Sequence, residues 1–192
     1  MRNVILSMNM TLDGFIEGPD GDLEWMRIDD ELWADVNERL RTVDTALFGR
    51  VAYQGFAEYW PAAATNPSSP PNEVAFARWI EKTPKIVFSR TLEKVEWQNS
   101  RLVKGGIAEE IAALKRQSGK DILMFGGAEI AAAFMAAGLI DDYRVTVYPI
   151  VLGKGKALFK KVTDKINLRL LSAKRFESGA VGLRYQPGGA GQ

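Results

Sequence analysis

Residues 122–141 of the chain have the sequence ILMFGGAEIAAAFMAAGLID. The apolar run 121–125 predicts a buried strand, and the alanine-rich segment that follows the glycines predicts a helix ending at Gly138. Gly126 and Gly127 therefore stand where a strand passes into a helix. Glycines at such a junction permit a tight turn, or they let a ligand approach the start of the helix, whose unpaired N–H groups suit a phosphate. The stretch alone leaves both alternatives open.

The same alternation of strand and helix runs through the first two-thirds of the chain, which favours a mainly parallel sheet with helices on both faces. After Asp141 the sequence becomes strand-like, which predicts antiparallel strands at one edge. We therefore predict a three-layer α/β/α architecture with a mainly parallel central sheet and antiparallel C-terminal strands. It forms a single domain over residues 1–187, followed by a flexible tail at 188–192. The other predicted elements are strands at 3–8, 45–50 and 85–90, helices at 29–40, 51–60, 72–82 and 105–119, and a proline-rich surface loop at 61–72.

Composition excludes several classes of function. The 192 residues carry a formal net charge of +1, so no global field draws the protein to nucleic acid or to an anionic membrane. The chain has no cysteine and no histidine, which excludes disulfides, thiolate zinc sites and serine–histidine hydrolysis. We predict no metal site. With neither a signal peptide pattern nor a membrane-length apolar run, we expect a cytoplasmic protein without nucleic-acid or membrane partners.

Three predicted strands end in unusual residues. One ends in Gly49-Arg50, another in Ser89-Arg90, and a third in the glycine pair. Ligands of open α/β sheets bind beyond the carboxyl ends of the strands, and arginine suits forked binding of phosphate. NADPH, with a pyrophosphate and a 2′-phosphate, fits such an edge, whereas ordinary turns and solvated polar ends are the alternative. The G-x-G-x-x-G fingerprint is absent, so an ordinary dinucleotide-binding turn is not expected.

The chain resembles the dihydrofolate-reductase-like superfamily, in the branch named for the C-terminal reductase domain of the bifunctional riboflavin-biosynthesis deaminase–reductase. Each short motif alone is weak, but their order and spacing along nearly the whole chain are specific. The segments that carry the resemblance are SMNMTLDGFIEG (7–18), LFGRVAYQGF (47–56), KIVFSRTL (85–92) and LMFGGAEIAAAFMAAGLIDDYRVTVYPIVLGKG (123–155).

The resemblance implies NADPH as the cofactor and a role for each matching position. In this superfamily the glycine pair is often joined by a cis peptide, and the helix that follows places its amides on the pyrophosphate. The implied cofactor-binding residues are Met8, Asn9 and Ile16 beside the nicotinamide, Gly49, Arg50 and Val51 along the cofactor, Ser89, Arg90 and Thr91 at the 2′-phosphate, and Gly126, Gly127, Ala128, Glu129 and Ile130 at the pyrophosphate.

The residues for catalysis and substrate are less sharply indicated. Phe125 stands where the riboflavin reductases usually carry a glutamate. Several acidic residues of this chain correspond to the side-chain carboxylate that binds the substrate in dihydrofolate reductases. Aromatic residues are suited to stacking on a flat heterocycle, although ordinary packing is the alternative for each. The candidates for catalysis are Asp13 and Asp30, and Glu31 and Asp35 are the alternatives to Asp30. Glu24, Tyr53 or a bound water are further candidate proton donors. The candidates for substrate binding are Trp25, Tyr53 and Phe56. Asp13 lies in an Asp-Gly pair, which is also a strong turn signal.

The sequence therefore predicts an NADPH-dependent reductase that transfers hydride to a small heterocyclic substrate. The resemblance makes 5-amino-6-(5-phosphoribosylamino)uracil reduction in riboflavin biosynthesis the first expectation. A dihydrofolate- or pterin-type reductase, or a catalytically inactive nucleotide-binding module, is the alternative. The apolar segment VTVYPIVL (145–152) and the exposed edge expected of the C-terminal strands predict a homodimer.

Overall fold

The computed structural model describes residues 1–189. Most of the predicted flexible tail at 188–192 lies outside the described residues. The strands are β1 (Val4–Thr11), β2 (Phe15–Glu17), β3 (Val43–Gly49), β4 (Lys85–Phe88), β5 (Ser100–Val103), β6 (Asp121–Phe125), β7 (Asp142–Tyr148), β8 (Lys156–Ala157), β9 (Leu168–Arg175) and β10 (Val181–Pro187). The helices are α1 (Asp30–Leu40), α2 (Arg50–Ala63), α3 (Pro71–Lys82), α4 (Ile107–Arg116) and α5 (Ala128–Ala136).

Eight strands form one sheet in the order β5-β4-β3-β6-β1-β7-β10-β9. The strands from β5 to β7 are parallel, and β10 pairs antiparallel with both β7 and β9. This arrangement confirms the predicted three-layer architecture with antiparallel strands at its C-terminal side. One detail of the prediction was wrong. β7 pairs in parallel with β1, because α5 supplies the crossover that a parallel connection requires.

The helices cover the two faces of the sheet. Helices α1, α2 and α3 pack on one face against a cluster that includes Phe48 and Leu123. Helices α4 and α5 pack on the other face against a cluster that includes Leu6 and Met124. Because successive side chains of a strand point to opposite faces, the neighbouring Leu123 and Met124 belong to different clusters. Both faces are thus buried, which explains the continuous apolar runs of the central strands.

The structure corrects several predicted boundaries. Helix α2 continues through Pro61 to Ala63, and α3 begins at Pro71, so the predicted loop at 61–72 is limited to residues 64–70. Strand β5 was not predicted, because its half-exposed sequence SRLV at the sheet edge has no buried apolar run. No helix within residues 1–189 has both the length and the apolar character needed to cross a bilayer.

Candidate functional site

The starts of α2 and α5 lie side by side at the edge of the sheet where its parallel strands end. We call this edge the carboxyl edge. Strands β3 and β6 are neighbours, with Phe48 opposite Phe125, and each leads directly into a helix. A Cβ atom at Gly49, the N-cap residue of α2, would lie 2.9 Å from Cγ2 of Ile130 in α5. The predicted Gly49 and Gly126–Ile130 segments are therefore in contact.

The two adjacent glycines serve different purposes. A Cβ at Gly126 would lie 2.5 Å from Cε of Met8 and closer still to its Sδ, so Gly126 lets β1 and the β6–α5 turn approach. Gly127 has φ +102° and ψ 121°, a conformation that L side chains rarely adopt. Every peptide bond within residues 1–189 is trans. The cis peptide bond between the two glycines that the resemblance implied is therefore not found.

Neither helix start carries a side-chain cap. Gly49 and Gly127 are the N-cap residues of α2 and α5, and no side chain bonds to the first amides of either helix. Unpaired N–H groups at a helix start favour an anion. Beside them, Val51 is 48% exposed, and Glu129 forms an ion pair with Lys161 at 2.6 Å. The hydrogen bond from Lys161 lowers the pKa of Glu129.

Two arginines flank these helix starts. Arg50 is exposed and donates to Gln54 at 3.3 Å, so its guanidinium lies along the first turn of α2. After β4, the Ser89 hydroxyl accepts from the amides of Thr91 and Leu92, which fixes the turn that carries the exposed Arg90. All of the predicted phosphate-binding segments therefore follow neighbouring strands at the carboxyl edge.

The residues predicted beside the nicotinamide do not share one face. Met8 and Ile16 are buried on the α4–α5 side of the sheet. Asn9 points to the α1 side, where its Nδ2 lies 3.0 Å from Sδ of Met26. Of these three residues, Asn9 alone thus offers a polar side chain on the face that α1 covers.

Asp13 joins two loops. Its carboxylate accepts hydrogen bonds from the Thr11 hydroxyl at 2.6 Å and from the amides of Leu152 and Gly153 at 3.2 and 2.7 Å. The Thr11 hydrogen bond, together with these amides, lowers the pKa of Asp13. The Asp13 carboxyl is therefore ionised at neutral pH, and its hydrogen bonds to both loops favour a structural role for this residue. Its catalytic role stays a prediction.

The acids of α1 have different surroundings. Asp30 is exposed in the first turn of the helix. Glu31 forms an ion pair with Lys174 at 3.3 Å. Asp35 binds Arg39 at 2.7 Å, and Arg39 in turn donates to the Ser7 hydroxyl on β1 at 2.8 Å. Of Asp30, Glu31 and Asp35, it is Asp35 that is connected to β1, through Arg39.

Two of the predicted substrate residues belong to the core. Tyr53 is 5% exposed, and its hydroxyl accepts from the amide of Trp97. The ring of Phe56 packs 5.0 Å from that of Phe48 and 5.2 Å from that of Phe125. Both side chains lie on the face of α2 that packs against the sheet, which favours ordinary packing for each. A role of Tyr53 and Phe56 in substrate binding stays a prediction.

Trp25 instead lines a cavity of about 630 Å³ beside the start of α1. Asp29, the N-cap residue of α1, accepts from the amides of Leu32 and Ser178, both at 2.7 Å, and so ties the β9–β10 turn to the helix. This cavity was not predictable from the sequence, because Tyr148 and the β9–β10 turn lie far from Asp29 along the chain. The lining residues are Trp25, Arg27, Ile28, Asp29, Tyr148, Pro149, Ile150 and Ser178.

Residues 2–181 match the family model of the RibD C-terminal domain. The chain belongs to the RibD C-terminal domain family. In sequence, the chain is similar to the uncharacterized protein YyaP of Bacillus subtilis strain 168. The two are 35% identical over 184 residues, which cover 96% of this chain and 94% of that protein. The resemblance recognised from the sequence is therefore confirmed, and the chain belongs to a reductase-like family.

Solved structures share the fold of this RibD C-terminal domain. A putative riboflavin biosynthesis protein from Shewanella sp. PV-4 matches with a TM-score of 0.73 and 23% identity, covering 98% of this chain and 99% of that one. Dihydrofolate reductase from Enterococcus faecalis, solved with NADP(H), matches with a TM-score of 0.62 and 15% identity, covering 96% of each chain. At these identities, both matches show a shared fold alone.

Proposed function

We propose that the protein is an NADPH-dependent reductase that transfers hydride to a small heterocyclic substrate. The observation that carries the proposal is the contact between the starts of α2 and α5, at Gly49 and Ile130. Two helix starts without side-chain caps present unpaired amides to the same space at the carboxyl edge. A pyrophosphate is the anion that we assign to this space, because it offers several acceptor oxygens to both helices.

NADPH is proposed over NADH because of the exposed arginines on either side. Arg50 leads α2 and Arg90 follows β4, and no carboxylate of the described residues forms an ion pair with either. A guanidinium binds phosphate through two parallel hydrogen bonds. The turn that carries Ser89, Arg90 and Thr91 is thus our candidate for the 2′-phosphate site.

Hydride transfer itself is the chemistry that the nicotinamide supplies when bound. The chain contributes the alignment of donor and acceptor beside Asn9, on the face of the sheet that α1 covers. Because Asp13 is already bound by three donors and Asp30 is exposed, we propose water as the proton source. The acceptor is proposed to be a pyrimidine of the riboflavin pathway, with a pterin as the alternative. We also propose that the protein is a homodimer joined through β9.

Calorimetric titration with NADPH and NADH tests the cofactor. We expect NADPH to bind at least tenfold more tightly, and Arg90→Ala to remove most of that preference. The control is Arg116→Ala. This exposed arginine ends α4 before β6 begins, so it lies near the opposite edge of the sheet. Equal affinity for both cofactors, or an unchanged preference in Arg90→Ala, would contradict the proposal.

A second measurement tests catalysis. NADPH oxidation is followed with pyrimidine, pterin and carbonyl acceptors. Tight NADPH binding with no oxidation by any acceptor would favour an inactive nucleotide-binding module over a reductase.

A further inference from the structure

The side chain of Lys85, at the start of β4, is a buried cation that the proposed function does not use. It is 1% exposed, and within residues 1–189 it forms no ion pair with a carboxylate. Its Nζ donates instead to the carbonyls of Ile80, Glu81 and Thr83 at the end of α3, at 2.8, 3.2 and 2.9 Å. Carbonyls at a helix end carry partial negative charge, so they stabilise the protonated form of the side chain.

The ring of Trp97 is the fourth partner of Lys85. Nζ lies over this ring, 4.3 Å from its centroid, which is within the range of a cation–π interaction. Trp97 belongs to the segment 89–99 between β4 and β5, and its backbone amide donates to the Tyr53 hydroxyl of α2 at 3.0 Å. The protonated Nζ is therefore surrounded by carbonyl acceptors and by the negative face of an aromatic ring.

Two polar groups beside Lys85 have no partner in this arrangement. Nε1 of Trp97 and Oγ of Ser100 are both buried without a hydrogen bond, and such groups in native proteins call for an explanation. Ser100 is the register partner of Lys85 on β5, so the two side chains leave the sheet on the same face. An indole N–H only donates, and an ammonium group only donates as well. The protonated Lys85 therefore cannot satisfy the N–H of Trp97.

Loss of the Lys85 proton supplies the missing acceptor. A neutral amine keeps two N–H groups for the carbonyls of α3 and gains a lone pair, to which the N–H of Trp97 donates once the ring tilts. The ring then presents its edge to Nζ, and the attraction between a cation and its face is lost. The two protonation states of Lys85 thus favour two different orientations of the same indole ring.

The surroundings bring this change close to neutral pH. Burial lowers the pKa of Lys85 to about 8, and the charge of Glu81, which acts to raise the pKa, is outweighed. On α2, the titratable group next to Trp97 is the Tyr53 hydroxyl, which accepts from its backbone amide. Other charged side chains of the surrounding elements are exposed or paired, namely Lys82 of α3, Glu93 and the pair Lys94–Glu96 of the segment 89–99, Arg101 of β5 with Glu110, and Asp44 of β3 with Arg2.

We propose that Lys85 and Trp97 form a proton-controlled switch, in which the indole presents its face to the ammonium group and its N–H to the neutral amine. The segment 89–99 carries this ring near one end and the turn with Arg90 at the other, so the switch acts on the segment that holds this turn. The switch does not depend on the proposed function, because no cofactor takes part in it.

NMR of the indole N–H groups tests the switch in the cofactor-free protein. The chain has five tryptophans, and the spectrum of Trp97→Phe assigns the Trp97 signal. We expect this signal to titrate with a midpoint near pH 8 and to move downfield as the pH rises, because the N–H gains an acceptor. Lys85→Met should abolish the titration. The matched control is Lys82→Met, which removes an exposed lysine from the same end of α3 and should leave the titration unchanged.

A measurement on the unaltered protein keeps the test decisive if Lys85→Met does not fold. With 13C at lysine Cε, one lysine should titrate near pH 8 with the same midpoint as the Trp97 signal, well below the ordinary lysine pKa of about 10.4. The inference is overturned if the Trp97 signal stays constant between about pH 6.5 and 9.5, or if no lysine titrates in that range. It is equally overturned if the Trp97 signal titrates in Lys85→Met as in the unaltered protein.

Discussion

Gly49 and Ile130 are packed so closely that a Cβ atom on Gly49 would lie 2.9 Å from Cγ2 of Ile130. Real Cβ contacts are essentially never this short, so a side chain at Gly49 requires the Ile130 side chain or one of the two helices to shift. The pair therefore sets the separation between the starts of α2 and α5. We assign the pyrophosphate of the cofactor to both helix starts, so their separation should control cofactor affinity.

Gly49→Ala should lower the free energy of unfolding by about 1–3 kcal/mol, because it overpacks a closely packed contact. It should also weaken NADPH binding at least tenfold, since the two helix starts move apart. The double variant Gly49→Ala/Ile130→Ala removes the Cγ2 atom and should recover a large part of the loss in NADPH affinity. Urea denaturation and cofactor titration measure the effects. An NADPH affinity unchanged by Gly49→Ala would show that this spacing does not matter for the cofactor.

The fold was largely predictable because its central strands are buried on both faces. Strands of this kind appear as short apolar runs, and the β6–glycine pair–α5 stretch was predicted almost residue by residue. The direction of β7 was not predictable from its own sequence, because that direction depends on the crossover through α5. Strand β5 lacks an apolar run, since it occupies the half-exposed edge next to β4.

The site was predictable only where topology determines it. Parallel strands end at one edge, so Gly49, Ser89 and Gly126 were expected near one another, and they follow neighbouring strands there. Which face of α2 packs inward depends on the neighbouring helices, so the burial of Tyr53 could not be predicted from the sequence. The approach of Ser178 to Asp29 depends on a contact over 149 residues, for which the sequence has no local motif.

Asp13→Asn should leave the pH profile of NADPH oxidation unchanged near neutral pH. The hydrogen bond from Thr11 is the largest cause that lowers the pKa of Asp13, so the folded carboxyl titrates below its ordinary value. Its contribution to stability is present above that ordinary value and is lost as the pH falls through the lowered pKa. The variant should therefore destabilise the protein at pH 7, and the difference in stability should shrink as the pH falls below that ordinary value. Loss of a titration step between pH 5 and 8 would instead identify Asp13 as an acid or base in catalysis.

Strand β9 should form the subunit interface. All eight of its residues are exposed, its outer edge has no partner strand within residues 1–189, and Leu170 is 51% exposed. Exposed edge strands with apolar residues favour pairing with another chain. Light scattering at micromolar concentration should give the mass of a dimer, and Leu170→Lys should give a monomer. Ala108→Lys, on the exposed face of α4, is the control and should stay dimeric.

Gly127→Ala tests whether the second glycine serves the backbone alone or the cofactor as well. Gly127 has φ +102°, so alanine is strained there, at a cost of about 1–3 kcal/mol. The new methyl group would meet only Cγ2 of Ile130, at 3.6 Å, and otherwise points into open space. That space lies before the start of α5, where we place the pyrophosphate. NADPH affinity should therefore fall at least tenfold, or by about 1.4 kcal/mol.

Gly138→Ala separates backbone strain from loss of the ligand site. Gly138 follows the other end of α5 with φ +62°, and a Cβ there meets nothing within 4 Å. Both variants should lower the melting temperature of the cofactor-free protein, because both place alanine at a positive φ. Only Gly127→Ala should weaken NADPH binding. If both variants bind NADPH as the unaltered protein does, Gly127 serves only the turn between β6 and α5, and the pyrophosphate does not lie before α5.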